Sequence, residues 1–302
     1  MKTLIVLLGP TGVGKTELSL TLAEMLRTPI INADSRQIYR DIPIGTAAPT
    51  TEEMQRVRHY FVGILGLDQY YSAAIYEAEV MALLSKQFQK SDVAIMSGGA
   101  MLYIDAVCNG IDEIPNVSDE VRIRMKQRLA DDGLAQMVEE LKVADPEYAA
   151  LCDLNNPRRV VYALEVFHTT GHKLSSFRTN VKKKRPFRIV KIGLNRDRAE
   201  LFGRINGRVT DMVNRGWLEE AKRVQPFRHC NSLNTVGYKE LFRHLDGEWE
   251  LDFALDRIRK NTRVYAKKQL TWFAKDEKIR WFHPAELDEI RYFIQSEAQV
   301  EI

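Results

Sequence analysis

The chain has 302 residues and a mass of 34.8 kDa, room for about two domains at roughly 150 residues each, or one core with a large insertion. Hydrophobic residues make up 45% and charged residues 28%, which excludes a disordered chain. No apolar run approaches the roughly 18 residues of a membrane span, so no membrane partner is expected. Leu4–Leu8 is too short for a secretory signal and runs into Gly-Pro-Thr-Gly. Three scattered cysteines, Cys108, Cys152 and Cys230, imply neither a disulfide framework nor a zinc site, and a reduced, cytoplasmic location fits them best.

Thr3–Leu8 reads as a buried parallel strand ended by glycine. Residues 15–26 then read as a helix with Leu18, Leu22, Ala23 and Leu26 on one face. Short strands follow at 29–32 and 92–96, and a helix through Leu102, Ile104 and Val107. Gly45-Thr46, Tyr71–Ala74 and Gly98–Tyr103 look like turns opening helices. From about Ser118 to Thr179 the pattern is helical throughout, broken at Asp145-Pro146 and Asn156-Pro157 and closed at Gly171. Strand returns at 188–193, Asp197 stands as an N-cap for an amphipathic helix, another helix covers 250–275, and a last strand falls at 279–282. The expected fold class is α/β, a parallel sheet flanked by helices, with an inserted all-helical domain. The expected domains are 1–115 with 185–302 for the core, and 116–184 for the insertion.

Net charge is +3, but it is unevenly spread. Residues 178–198 carry nine Lys/Arg against one acid, and 256–283 carry nine against three. Interleaved with Tyr265, Trp272, Phe273 and Trp281, these runs lean modestly toward a polyanion partner, although a solvated face is the commoner origin of such a run.

Gly9-Pro10-Thr11-Gly12-Val13-Gly14-Lys15-Thr16 matches G-x-x-x-x-G-K-[ST] between a strand and a helix. Its glycines turn backbone N–H groups onto phosphate, the helix N-terminus adds positive potential, and the Thr16 hydroxyl is a Mg²⁺ ligand type. An ordinary ATPase places an aspartate at a second strand end; the strand at 92–96 runs instead into Ser97-Gly98-Gly99, and the acid at a strand end is Asp34. Ligands sit beyond the carboxyl ends of such strands, so Asp34 is expected near the phosphate loop, or else merely caps its own turn. His168 and His172 are four apart but flank a helix end, so zinc is not expected. Arg158-Arg159 fits either a clamp on an anion or a solvated helix face.

Taken together, residues 9–16, Asp34–Arg40, Ile44–Thr46, Tyr71–Ala74, Ser97–Tyr103, Asn156–Arg159, Ala163–Phe167, Thr170-Gly171, Val236–Leu241 and Thr262–Phe273 resemble, in order, the tRNA dimethylallyltransferase (tRNA isopentenyltransferase) family. The resemblance implies a P-loop NTPase-like α/β core with an inserted helical domain, and transfer of a dimethylallyl group from dimethylallyl diphosphate to N6 of the adenosine 3′ of a tRNA anticodon, with Mg²⁺, by a monomer. It implies Asp34 as the base, with Lys15, Thr16 and Thr11 at the reacting diphosphate, and a diphosphate held by residues 9–16. It implies contacts with the anticodon stem-loop by Asp34, Ser35, Arg36, Gln37, Ala100, Arg122, Arg158, Arg159, Val160, Val161 and Tyr162. Gln37 carries the donor–acceptor pair that reads an adenine edge. The chain departs from the family at Ala100, usually Thr, at Ala48, usually Lys, and at Tyr162, often Arg. The rival readings are an adenylate isopentenyltransferase acting on free nucleotide, which would not need the helical insertion, and a P-loop small-molecule kinase.

Overall fold

The computed structural model describes residues 1–179 and 181–300. It divides into two compact units, Met1–Asn109 together with the chain from Lys184 onward, and Gly110–Lys183. The changeovers lie at 110 and 184, against the 116 and 185 expected from the sequence.

The first unit is built on six strands, β1 (Thr3–Leu8), β2 (Ile30–Ala33), β3 (His59–Tyr60), β4 (Val93–Gly98), β5 (Arg188–Leu194) and β6 (Ile279–Phe282). They form one sheet in the order β3-β2-β4-β1-β5-β6, and every pairing is parallel. β1 and β4 are buried along their whole length, which is why they read as unbroken apolar runs. Two apolar clusters form on alternate residues of these strands: Ile5, Leu7 and Ile95 join one, Leu4, Val6 and Met96 the other. A sheet packed on both faces leaves its carboxyl-terminal edge as the place for a ligand.

β3 is absent from the sequence reading. It has two residues, pairing Ile30 with His59 and Ile31 with Tyr60, too few to show a period. Gly45-Thr46 opens no helix: the chain there is a series of turns, and the next helix begins at Thr51. Asp197 precedes the helix Arg198–Asn214, but its side chain makes no capping hydrogen bond.

The second unit, taken by itself, holds helices at Asp119–Asp131, Gly133–Ala144, Pro146–Leu151, Pro157–Thr170 and Leu174–Phe177. Ser118 caps the first through Val121 N, and Gly171 ends the fourth in the left-handed conformation. Asp145-Pro146 starts a helix as well as ending one: Asp145 accepts from Tyr148 N at 3.1 Å, and from Ser175 N and Oγ at 2.8 and 2.7 Å. Met125, Met137, Leu141, Val160, Leu164 and Leu174 form its own core.

Candidate active site

The phosphate loop begins where β1 stops. Gly9, Gly12 and Gly14 adopt φ of 151°, 83° and 108°, values that disfavour any side chain. A Cβ on Gly9 would stand 2.6 Å from the Leu194 carbonyl oxygen. Gly14 is the N-cap of the helix Lys15–Met25, so the loop delivers its amides to a helix N-terminus. Lys15 Nζ donates to the Gly9 and Pro10 carbonyls, both at 2.9 Å. Partly open to the cavity yet crowded by protein, its ammonium is held down to about 8, chiefly by desolvation; Asp34 opposes this shift and Arg208 adds to it.

Three arginines from the segment 196–208 brace the same loop. Arg196 Nε donates to Val13 O at 2.7 Å, Arg204 Nε to Gly12 O at 3.0 Å, and Arg208 Nη2 to Thr11 Oγ1 at 2.9 Å. Burial pushes Arg208 below its ordinary value. From the helix Leu251–Phe273, Gln269 accepts from Thr11 N at 2.9 Å and donates to Gly99 O at 2.8 Å, stitching the loop to the end of β4. The Thr11 amide is therefore committed inside the protein. The Val13 amide likewise donates within the loop, to Pro10 O at 3.4 Å.

Asp34 follows the last residue of β2. Its Oδ1 accepts from Arg36 N at 2.8 Å and Gln37 N at 3.3 Å, and it also lines one cavity of about 580 Å³ with Lys15 and Thr16. Both expectations for this residue hold at once: it caps its turn and faces the phosphate loop. The cavity is closed by Thr46–Thr50, by Ser97–Gly99, and by Arg204, Arg208, Tyr265 and Gln269.

Several expected contacts are placed otherwise. The Arg36 guanidinium reaches the carbonyls of Asn231, Ser232 and Asn234 at 2.8, 3.2 and 3.5 Å, so it ties the turn to another loop. Ser35 is half-buried on that turn. Gln37 spends Nε2 on the carbonyls of Thr46 and Ala47, at 3.1 and 2.9 Å. Its donor half is committed, which corrects the two-sided reading of an adenine edge. Ala100 is only 8% exposed in the apolar core, and its amide donates to Ala33 O at 3.0 Å.

In the helical unit, Val160 is 0% exposed and belongs to the core, which removes its side chain from any surface contact. Val161 is partly buried against the same core. Arg158 and Arg159 are exposed, Arg122 is partly so, and Tyr162 is 37% exposed. The phase of the helix separates them: residues 160, 163 and 164 point inward. The basic run also divides. Lys182, Lys183 and Lys184 are exposed, Lys183 with Glu113 at 3.4 Å, whereas Arg185 forms a buried ion pair with Glu77 at 2.6 Å and Lys191 pairs with Asp276 at 2.5 Å. Among the described residues no cluster of three or more His, Cys, Asp or Glu forms a metal site. His168 bonds instead to Glu140 at 2.6 Å, an acid 28 positions away that spacing alone does not reveal.

Sequence reasoning missed Arg208 as a site residue. It is one arginine among many, on an amphipathic helix whose phase about the loop the sequence does not disclose. Gln269 and Tyr265 were visible only as part of a matching block.

A parallel α/β sheet with this loop at its edge, a basic pocket, and a carboxylate across the cavity defines a P-loop-like fold for chemistry on phosphate or diphosphate. The family model described as IPP transferase matches residues 37–276. tRNA dimethylallyltransferase 1 of Bacteroides fragilis is 57% identical over 295 residues, 98% of each chain. The tRNA dimethylallyltransferase of Cytophaga hutchinsonii is 43% identical over 298 residues, 99% of this chain and 98% of its own. The crystal structure of a tRNA isopentenylpyrophosphate transferase from Bacillus halodurans superposes with a TM-score of 0.72 at 33% identity, covering 99% of this chain and 97% of the other. A eukaryotic dimethylallyltransferase acting on tRNA gives 0.81 at 26% identity, covering 99% and 77%. The chain belongs to the IPP transferase family.

Proposed function

We infer that this protein is a tRNA dimethylallyltransferase. It moves the dimethylallyl group of dimethylallyl diphosphate to N6 of the adenosine on the 3′ side of the anticodon, leaving N6-dimethylallyladenosine and diphosphate. The observation that carries the reading is the meeting of Asp34, Lys15 and Thr16 in one cavity, in a chain 57% identical to a tRNA dimethylallyltransferase.

The chemistry follows from those groups. The allylic C–O bond breaks and its electron pair leaves with the diphosphate. The amides of Gly12, Gly14, Lys15 and Thr16, the Lys15 ammonium and the partly buried Arg208 stabilise that charge. The adenine amine forms the new C–N bond and must lose a proton. Asp34 takes it, through Oδ2, because Oδ1 is held by its own turn. Thr11, fixed by Gln269 and Arg208, stands beside the reacting diphosphate. The Thr16 hydroxyl is a ligand that Mg²⁺ takes alongside diphosphate oxygens and water, which suits a site without a cage of acids; bound there, Mg²⁺ supplies further neutralisation of the leaving charge. Arg122, Arg158, Arg159 and Tyr162 are the residues of the helical unit proposed to meet the anticodon stem-loop, with Lys182–Lys184 on phosphates. We propose that the enzyme acts as a monomer in the cytoplasm. Separately, no helix among the described residues is long and apolar enough to cross a membrane.

The assay pairs dimethylallyl diphosphate and Mg²⁺ with either AMP or an unmodified anticodon stem-loop. Prenylation of the stem-loop is expected. Prenylation of AMP alone would establish the adenylate isopentenyltransferase instead, and ATP-dependent phosphorylation of a metabolite with no prenyl transfer would establish a kinase.

A further inference from the structure

The wall of the cavity opposite the phosphate loop is a short turn, and a buried acid sits behind it. Glu220, on the helix Trp217–Val224, is 1% exposed. Its Oε2 accepts from Ile44 N at 2.9 Å, and its Oε1 accepts from Gly45 N at 2.8 Å and from Tyr238 Oη at 2.5 Å. Two successive backbone amides closing on one carboxylate form an anion nest, filled here from within the chain. The fit leaves no room: a Cβ on Gly45 would stand 2.1 Å from Trp217 Nε1 and 2.4 Å from Tyr238 Oη.

With the amides of 44 and 45 drawn inward, the carbonyls of Thr46 and Ala47 face the other side, where both accept from Gln37 Nε2. Ala47 is held at φ 50°, a left-handed conformation that costs an alanine roughly 1 kcal/mol, so the turn relaxes if its anchor is removed. Two carbonyls on one nitrogen leave the Gln37 amide a single orientation. Its remaining polar atom, Oε1, accepts no hydrogen bond among the described residues, and Gln37 lines the cavity.

We propose that Glu220 is a positioning residue that fixes the 44–47 turn so that Gln37 offers the cavity an acceptor only, matched to the amino group of the target nucleobase. The proposal rests on the tRNA dimethylallyltransferase reading above and deepens it. An exocyclic amine carries two protons: one goes to Asp34 and the other is held by Gln37 Oε1. A base presenting a carbonyl at that position meets two acceptors and is rejected.

Replacing Glu220 by glutamine turns one of its oxygens into a donor facing a backbone N–H, and the turn loses its anchor. The test is binding, without prenyl donor, of anticodon stem-loops carrying adenosine or purine riboside at the target position; the second lacks only the amino group. The wild type should favour the adenosine loop by about twentyfold, the worth of two hydrogen bonds, one to Asp34 and one to Gln37. Glu220→Gln should lower that ratio about fivefold, leaving the share held by Asp34, with the purine-riboside loop's affinity within about twofold, and Tyr238→Phe should give an intermediate ratio. An unchanged ratio in Glu220→Gln, an equal loss for both loops, or no wild-type preference would overturn the proposal. Should Glu220→Gln fail to fold, Tyr238→Phe decides alone: a reduced ratio supports the proposal and a wild-type ratio refutes it. Prenylation of the stem-loop by the wild type is scored separately, so failure of the enzymatic reading is distinguishable from failure of this one.

Discussion

A lysine held near 8 inside a phosphate site makes the site sensitive to pH. Between about 8 and the ordinary 10.5, the folded protein binds fewer protons at Lys15 than the unfolded chain does. The contribution of Lys15 to stability therefore rises with pH across that window, and below it the charged form is a cost of folding. Diphosphate binding has the opposite dependence, because it needs the ammonium. The affinity of an unreactive dimethylallyl diphosphate analogue should weaken as pH passes about 8, and Lys15→Met should remove that dependence; titration by calorimetry or fluorescence reads both. Lys15→Ala should cut turnover by at least about a hundredfold, in the range found when an oxyanion-stabilising donor is lost, and leave stem-loop affinity within a few-fold. Equal loss of both would contradict the separation of diphosphate and RNA contacts. Lys15, Thr16 and Asp34 were legible because spacing around a strand end announces them. Arg208 was not, because its role comes from how one helix lies against the loop. Val160 turns its side chain into the core, which the run 158–162 discloses only when it is read by helical phase.

At the scale of elements, two joints hold the site in register. Gly98 ends β4 opposite Leu8 and Ala33, and a Cβ there would stand 2.1 Å from the Ala33 carbonyl oxygen. Backbone cannot yield as a flexible side chain does, so Gly98→Ala should cost at least about 2 kcal/mol and lower turnover, since Ala33 precedes Asp34. The second joint is Arg185, which binds Glu77 and the carbonyls of Ala106 and Val107 at 2.6, 2.6 and 2.8 Å. Its pair is buried, each side chain 8% exposed, so Arg185→Ala breaks a buried ion pair and strands two carbonyl contacts, and should cost about 3–5 kcal/mol by urea unfolding. Little change would mean that the pair is hydrated in solution. Five of the six strands were legible, most plainly β1 and β4, which are buried throughout and written as apolar runs. The sixth, His59–Tyr60, owes its conformation to its neighbour β2 rather than to its own residues.

For the molecule as a whole, charge placement matters more than the net +3. Of the basic run 178–198, Arg185 and Lys191 are spent on buried or half-buried pairs and Arg196 on Glu200, while Lys182–Lys184 lie exposed, Lys183 with Glu113 beside it at 3.4 Å. Composition displays the run, but only the fold tells a structural cation from one available to RNA. Reversing the charges of Lys182, Lys183 and Lys184 should weaken stem-loop binding and flatten its log–log salt slope, from about −5 for six phosphate contacts toward about −2 or −3; an unchanged slope would return these lysines to ordinary surface. The central claim is narrower: a carboxylate across the cavity from the phosphate loop removes the proton of the adenine amine. Asp34→Asn tests it most directly, since the asparagine Oδ1 still accepts from Arg36 N and Gln37 N and the turn is kept. Single-turnover prenylation of an anticodon stem-loop should fall by about 10²–10⁴-fold while stem-loop affinity stays within a few-fold. Prenylation at the wild-type rate would show that the proton leaves by another route.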